Sequence, residues 1–263
     1  MSNIASAFDH GKAFIAFLTC GDPDLETTGR AVRAAIENGA DLIELGIPFS
    51  DPAADGETIQ KAAERAIARG FSFADCLSAL RKFREQNQAT PVVLMGYLNS
   101  FERRGAAQAF LEAKQSGADG VILVDCPIEA LPDYQSDLQA AELAPILLCA
   151  PTTSPERQAK IAKNAQGFIY FVSLRGITGR EAAAASAELK AQIESLRAHT
   201  DTPICLGFGI RSPETARQMA DCADGVVIGS ALVAELYAAH EAGLDICRVA
   251  SEFAQKIRKA LDS

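Results

Sequence analysis

Apolar, β-rich runs alternate with helical stretches along this chain without a break, and that alternation constrains the fold more than any other feature. The strand candidates are Ala13 to Thr19, Asp41 to Leu45, Val92 to Gly96, Val121 to Val124, Ile146 to Cys149, Phe168 to Val172, Ile204 to Leu206 and Gly225 to Ile228. Helical periodicity fills the gaps: Leu25 to Asn38, Phe73 to Gln86, Ala106 to Gln115, Pro155 to Lys163, Ala187 to Ala198 and Pro213 to Met219. Eight βα units within 263 residues imply an α/β chain forming a closed parallel (β/α)8 barrel, with the doubly wound open sheet as the weaker alternative. A short N-terminal extension and extra short helices would complete it. No low-complexity linker divides the chain, so residues 1–263 are expected to form one domain. Three helix-to-strand connectors share a form, Asn38-Gly39-Ala40-Asp41, Ser116-Gly117-Ala118-Asp119 and Cys222-Ala223-Asp224. This form suits a glycine helix cap and a tight turn into the next strand.

Composition excludes several functions. No signal-peptide pattern opens the sequence, and no uncharged apolar stretch approaches the ~20 residues needed to cross a bilayer. Seven cysteines without a CxxC spacing indicate reduced thiols, and the expected compartment is the cytoplasm. With only His10, His199 and His240, and no HxH or HxxxH pair, no metal centre is expected. A net charge of -9 with scattered Lys and Arg supplies no basic stripe for nucleic acid.

In parallel barrels the chemistry gathers where strands end and βα loops begin. Glu44 falls within the candidate strand Asp41 to Leu45, where a carboxylate facing the barrel interior is costly to desolvate and needs a partner or a task. The long loop Gly46 to Gly56 carries a second acid, Asp55. Two acids at one strand end suggest proton transfer. The loop Thr19 to Pro23 reads as a turn with Asp22-Pro23 opening a helix. Ser173 to Arg180 places Thr178 between glycines, as in a lid whose tip approaches ligand. Gly207-Phe208-Gly209 and Gly229-Ser230 follow the last two strands, and the second pair opens a helix. Glycines and helix N-termini expose N–H donors to an anion, and phosphate commonly sits between these two loops. A phosphate monoester fits better than a nucleotide, because no acidic residue follows at the distance that reads a ribose.

All nine lysines precede a strand or lie on helical segments, which disfavours Schiff-base chemistry. No GxSxG elbow and no cysteine with a strand-end histidine appears. What remains is acid–base catalysis by carboxylates on a phosphorylated substrate, without a cofactor.

Several strings carry a family resemblance: Gly21-Asp22-Pro23, Glu44-Leu45-Gly46-Ile47-Pro48-Phe49-Ser50-Asp51-Pro52, Ala54-Asp55-Gly56, Met95-Gly96-Tyr97-Leu98-Asn99, Asp125-Cys126-Pro127, Ala150-Pro151-Thr152-Thr153, Gly176-Ile177-Thr178-Gly179, Gly207-Phe208-Gly209-Ile210 and Gly229-Ser230. Together the chain resembles the α subunits of tryptophan synthase from Phe17 to about Ser230. That resemblance implies reversible retro-aldol cleavage of indole-3-glycerol phosphate to indole and glyceraldehyde 3-phosphate. It makes Glu44 the acid–base residue at C3 and the C3′-hydroxyl, and Asp55 the partner of the indole N–H. Burial is expected to raise the pKa of Glu44, and a loop position to leave Asp55 readily ionised. The resemblance places Phe17, Met95, Ile122, Tyr170 and Phe208 around the indole, Gly179, Gly209, Gly229 and Ser230 at the phosphate, and Thr178 in loop closure.

It also implies a partner, the β subunit, in an α2β2 assembly, with pyridoxal phosphate held only by that partner. Ile47 to Asp55 and the segments around Asn99 and Asp125 would lie near the interface. The loops Ile47 to Gly56 and Leu174 to Arg180 have few apolar residues of their own, so the isolated chain is expected to be slow until the partner favours a closed state. Glu57 stands where the family usually has proline and should leave the first loop more flexible. Three other readings stay open. A sugar-phosphate isomerase would share the carboxylates and glycines but not the apolar lining. A non-catalytic activator of the β subunit would have lost turnover, against which stands the presence of both acids. A stand-alone indole-releasing lyase would use the same residues.

Overall fold

The structure is a computed structural model that describes residues 3–172, 182–207 and 209–263. Nine strand segments form one sheet: β1 (Ala13–Thr19), β2 (Leu42–Gly46), β3 (Val92–Gly96), β4 (Gly120–Leu123), β5 (Ala144–Pro145), β6 (Leu147–Cys149), β7 (Ile169–Val172), β8 (Ile204–Gly207) and β9 (Gly225–Ile228). The helices are α1 (Leu25–Glu37), α2 (Glu57–Ala68), α3 (Phe73–Arg84), α4 (Leu98–Glu102), α5 (Ala106–Gln115), α6 (Pro132–Ala140), α7 (Pro155–Asn164), α8 (Ala182–Arg197), α9 (Pro213–Ala220), α10 (Ser230–Glu241) and α11 (Ile246–Leu261). A 3-10 helix, Asn3–Phe8, precedes β1.

Every strand pairing is parallel, in the order β5-β4-β3-β2-β1-β9-β8-β7-β6. The two ends of that order are one stretch of chain, because only Ile146 separates β5 from β6. The sheet therefore closes into the expected eight-position barrel. The candidate strand Ile146 to Cys149 is in fact two segments. Pro145 has no N–H to give the ladder, and at this point the chain changes partner from β4 to β7. Ile146 N–H still reaches Val121 O at 2.9 Å. The helical stretch expected from Ala187 begins earlier, at Ala182, in keeping with the helix propensity of the alanine run.

Alternation along the strands builds two apolar layers. Ile15, Phe17, Leu42, Val93, Ile122, Ile146, Phe168, Cys205 and Val227 fill the barrel, while Phe14, Leu18, Ile43, Leu94, Phe171, Leu206 and Val226 belong to the shell packed under the helices. Ile4, from the 3-10 helix, joins the inner layer. It fits against Gly120 and Gly167, where a Cβ would come within 3.0 Å of it.

The Gly-Ala-Asp connectors are clamps at the N-terminal rim. Asp41, Asp119 and Asp224 each accept the backbone N–H of the neighbouring strand, from Phe14 (2.7 Å), Val92 (2.9 Å) and Ile204 (2.8 Å). Each returns its own N–H to the carbonyl of that same residue. Each also takes an arginine: Arg258 at 3.0 Å, Arg84 at 2.7 Å and Arg197 at 2.9 Å. Gly39 (φ +119°) and Gly117 (φ +103°) follow their helix caps in the left-handed region, and a Cβ on either would strike the aliphatic stem of Arg258 or Arg84.

Exposure ranks these clamps. Arg84 and Asp119 are 11% and 14% exposed, Arg197 and Asp224 44% and 30%. Asp119→Ala leaves a desolvated guanidinium and an unmatched strand N–H, so chemical denaturation should show a loss of about 3 kcal/mol or more. Arg197→Ala should cost less than ~1 kcal/mol because water screens that pair. Equal losses in the two variants would contradict this ranking.

Candidate active site

β2 carries Glu44 in register with Phe17 of β1 and Val93 of β3, at 1% exposure. Its Oε2 has no hydrogen-bond partner. Burial first, and the charge of Asp55 second, push its pKa up to about 8. Around it the interior cluster holds Phe17 and Ile122, with Met95 and Tyr170 packed against them. Met95 and Ile122 are register partners. The pKa of the Tyr170 hydroxyl is pushed upward by burial and by the charges of Glu44 and Asp55.

Asp55 stands above, in the loop between β2 and α2. The loop position does not leave this acid in open water. Asp55 is half-buried, and desolvation raises its pKa, opposed by a hydrogen bond from Tyr97. The Tyr97 hydroxyl donates to Asp55 Oδ2 at 3.2 Å and accepts the N–H of Ala54 at 3.0 Å. Its ring stacks on Phe49, with centroids 4.9 Å apart. Gln60 donates to the Asp55 carbonyl at 2.8 Å.

These contacts also revise the view of the first loop as loose. Glu57 is not within it but is the first residue of α2, paired with Lys61 at 2.6 Å, and Tyr97, Phe49 and Gln60 tie down the residues before it. Tyr97 and Gln60 are the functional residues that the sequence reading missed. Tyr97 stood within a matched string, but its contact with Asp55 spans 42 residues and no local pattern announces it.

Gly46 and Gly229 have a shared reason for being glycine. A Cβ on the first would lie 2.6 Å from the Phe17 ring, and on the second 2.9 Å from it. Gly229 is the N-cap of α10 and Ser230 its first residue, exposed, so the first-turn N–H groups have no intrahelical partner. Gly207 and Val227 are register partners on β8 and β9. Gly209 and Gly229 each lie two residues beyond that pair in sequence. Gly209 has φ +78°.

The turn after β1 departs from expectation. α1 starts at Leu25 with Asp24 as its N-cap, while Asp22 makes a two-pronged pair with Arg65 of α2, both bonds 2.7 Å. Thr178, Gly179 and Phe208 lie outside the described residues, as does the lid segment Ser173 to Arg180. Among the described residues no group of three or more His, Cys, Asp or Glu could hold a metal ion. No described helix is long and apolar enough to cross a membrane.

A closed parallel barrel with a desolvated acid in its interior, a second acid over it and helix N–H donors at the last strand ends belongs to the class of (β/α)8 acid–base enzymes. The family described as tryptophan synthase alpha chain matches residues 5–262. The tryptophan synthase alpha chain of Neisseria meningitidis serogroup B is 47% identical over 239 residues, 90% of this chain and 91% of that one. The crystal structure of subunit alpha from Legionella pneumophila superposes with a TM-score of 0.92 at 40% identity, covering 100% of this chain and 99% of the other. A chain of the Pyrococcus furiosus tryptophan synthase α2β2 complex, described as mutually activated, matches with a TM-score of 0.83 at 33% identity, covering 94% of this chain and 98% of that one. The chain belongs to the tryptophan synthase alpha chain family.

The raised pKa of Glu44 makes stability depend on pH. An unfolded glutamate ionises near 4.5, whereas the folded one holds its proton to about 8. The folded state thus binds more protons between those values, and stability falls as pH rises through that window. Glu44→Gln keeps a neutral shape at every pH. Its melting temperature should gain on wild type steadily from pH 5 to pH 8 and hold a constant lead above; a pH-independent difference would show that Glu44 is ionised in the folded protein at neutral pH.

Proposed function

We infer that this chain cleaves indole-3-glycerol phosphate reversibly to indole and glyceraldehyde 3-phosphate, as a lyase of tryptophan biosynthesis, with one barrel domain over residues 1–263 carrying the whole activity. The observation that carries the reading is Glu44, a carboxyl buried inside an apolar barrel with no hydrogen-bond partner at Oε2, whose pKa desolvation and the nearby Asp55 push up to about 8.

The reaction breaks the bond between C3 of the ring and C3′ of the glycerol chain. C3 must gain a proton and the C3′-hydroxyl must lose one. Glu44 supplies the first and receives the second, so it ends the cycle protonated as it began. When C3 is protonated the ring becomes cationic, and its N1–H turns into a strong donor. Asp55 accepts that hydrogen bond, held in place by Tyr97 and Gln60. Phe17, Met95, Ile122, Tyr170 and Phe208 supply the apolar walls for the ring. Gly179, Gly209, Gly229 and Ser230 receive the phosphate, and Thr178 takes part in closure. No step needs a cofactor on this chain. Free thiols at all seven cysteines suit a reducing cytoplasm. A β subunit that uses pyridoxal phosphate to consume indole is the partner, in an α2β2 assembly like that of the Pyrococcus furiosus relative.

Indole release from indole-3-glycerol phosphate, assayed with and without a β subunit, tests activity and partner dependence together. Glu44→Gln should lower kcat by ~100-fold to 10,000-fold, and Asp55→Asn should lower kcat with a smaller change in KM. Turnover by Glu44→Gln within tenfold of wild type would remove that residue from its role. For the phosphate, Gly209→Val is a poor probe because the site has φ +78°. Ser230→Asp instead adds a negative charge where the helix N-terminus tolerates it. Competition by glycerol phosphate should disappear while the fold stays intact; undiminished competition would place the phosphate elsewhere.

A further inference from the structure

Thr19 ends β1 on the same face as Ile15 and Phe17, which point into the barrel. It is 4% exposed, and its Oγ1 has no hydrogen-bond partner. Among the described residues the only other side-chain atoms in that condition are Glu44 Oε2 and Arg258 Nε. Arg258 Nε belongs to a guanidinium whose other nitrogens are paired at the opposite rim. Glu44 Oε2 is the proton-transfer group. An orphaned, desolvated hydroxyl costs stability, and valine would fill nearly the same space without that cost.

What the hydroxyl faces is the cleft at the mouth. Thr19 lines it together with Phe17, Ile47, Asp55, Met95 and Tyr97. The surroundings are otherwise apolar. The Tyr97 hydroxyl is already engaged with Asp55 and Ala54. Thr19 thus brings an uncommitted, buried hydroxyl to the lining of this cleft. Across the sheet its register partner is Gly46, against which the Phe17 ring packs.

We propose that Thr19 is a substrate-binding residue: its hydroxyl is a second acceptor for the single N–H of the indole ring, shared with Asp55, and fixes the ring's rotation in the cleft. This rests on the reading of the cleft as the indole site. It accounts for a buried hydroxyl that nothing in the protein uses. An indole ring has one polar group, so the contact orients the ring in its own plane, which stacking against Phe17 and Met95 cannot do.

The test uses the full-length wild type, Thr19→Val and Thr19→Ser, with indole and glycerol phosphate as separate probes and thermal melting in parallel. Thr19→Val should weaken indole binding roughly 5- to 12-fold, the worth of one neutral hydrogen bond. It should leave inhibition by glycerol phosphate unchanged and keep or raise the melting temperature. Thr19→Ser, which retains the hydroxyl, should bind indole within about twofold of wild type. Unchanged indole affinity in Thr19→Val overturns the proposal, as does a lowered melting temperature with both ligands weakened alike, which would mark a structural hydroxyl. Cleavage of indole-3-glycerol phosphate by the wild type is measured beside these. If wild type cleaves and Thr19→Val binds indole normally, only the role of Thr19 falls; if wild type does not cleave, the functional reading falls on its own account.

Discussion

Closure of the sheet turns on one residue. Ile146 separates the segment that pairs with β4 from the segment that pairs with β7, and there the two edges of a nine-segment sheet become one strand. Without that junction the outer strands would be edges with unsatisfied backbone groups. With it, the interior becomes a sealed apolar volume. Everything unusual about Glu44 follows from that sealing. The same carboxyl on an open sheet would meet water and ionise as an ordinary glutamate, and the chain would lack an acid able to protonate carbon near neutral pH.

The two acids are made different by their surroundings. Glu44 has burial and a neighbouring negative charge, both of which favour its protonated form. Asp55 is raised by desolvation too, yet the Tyr97 hydroxyl favours its ionised form. That donor opposes desolvation at Asp55, and Glu44 has no counterpart to it. The phenol is itself held by the Ala54 N–H and by the Phe49 ring, so the difference between the acids rests on a loop, a strand end and a helix start acting together.

Sequence reading reached as far as local and periodic signals extend. The eight strands and the inward position of Glu44 follow from alternation, which is a property of consecutive residues. Gly-Ala-Asp was visible as a repeat, but its meaning was not. That Asp119 holds the start of β3 while Arg84 crosses Gly117 depends on contacts 27 to 35 residues apart. Tyr97 was hidden for the same reason. The partial burial of Asp55 was not foreseen because a loop is usually wet, whereas this one is covered by Tyr97.

Phe17 is seated against two glycines on separate elements, Gly46 at the end of the acid-bearing strand and Gly229 at the start of α10. Neither can gain a methyl group without displacing the ring. The ring therefore works as a gauge block between the end of β2 and the start of α10. The spacing between those two elements is set by the span of one benzene ring instead of by hydrogen bonds. Such a spacing tolerates changes of charge and solvent, but it does not stretch. A larger side chain at either position must move the ring, so the distance from the acid-bearing strand to the last barrel helix is written into two missing methyl groups.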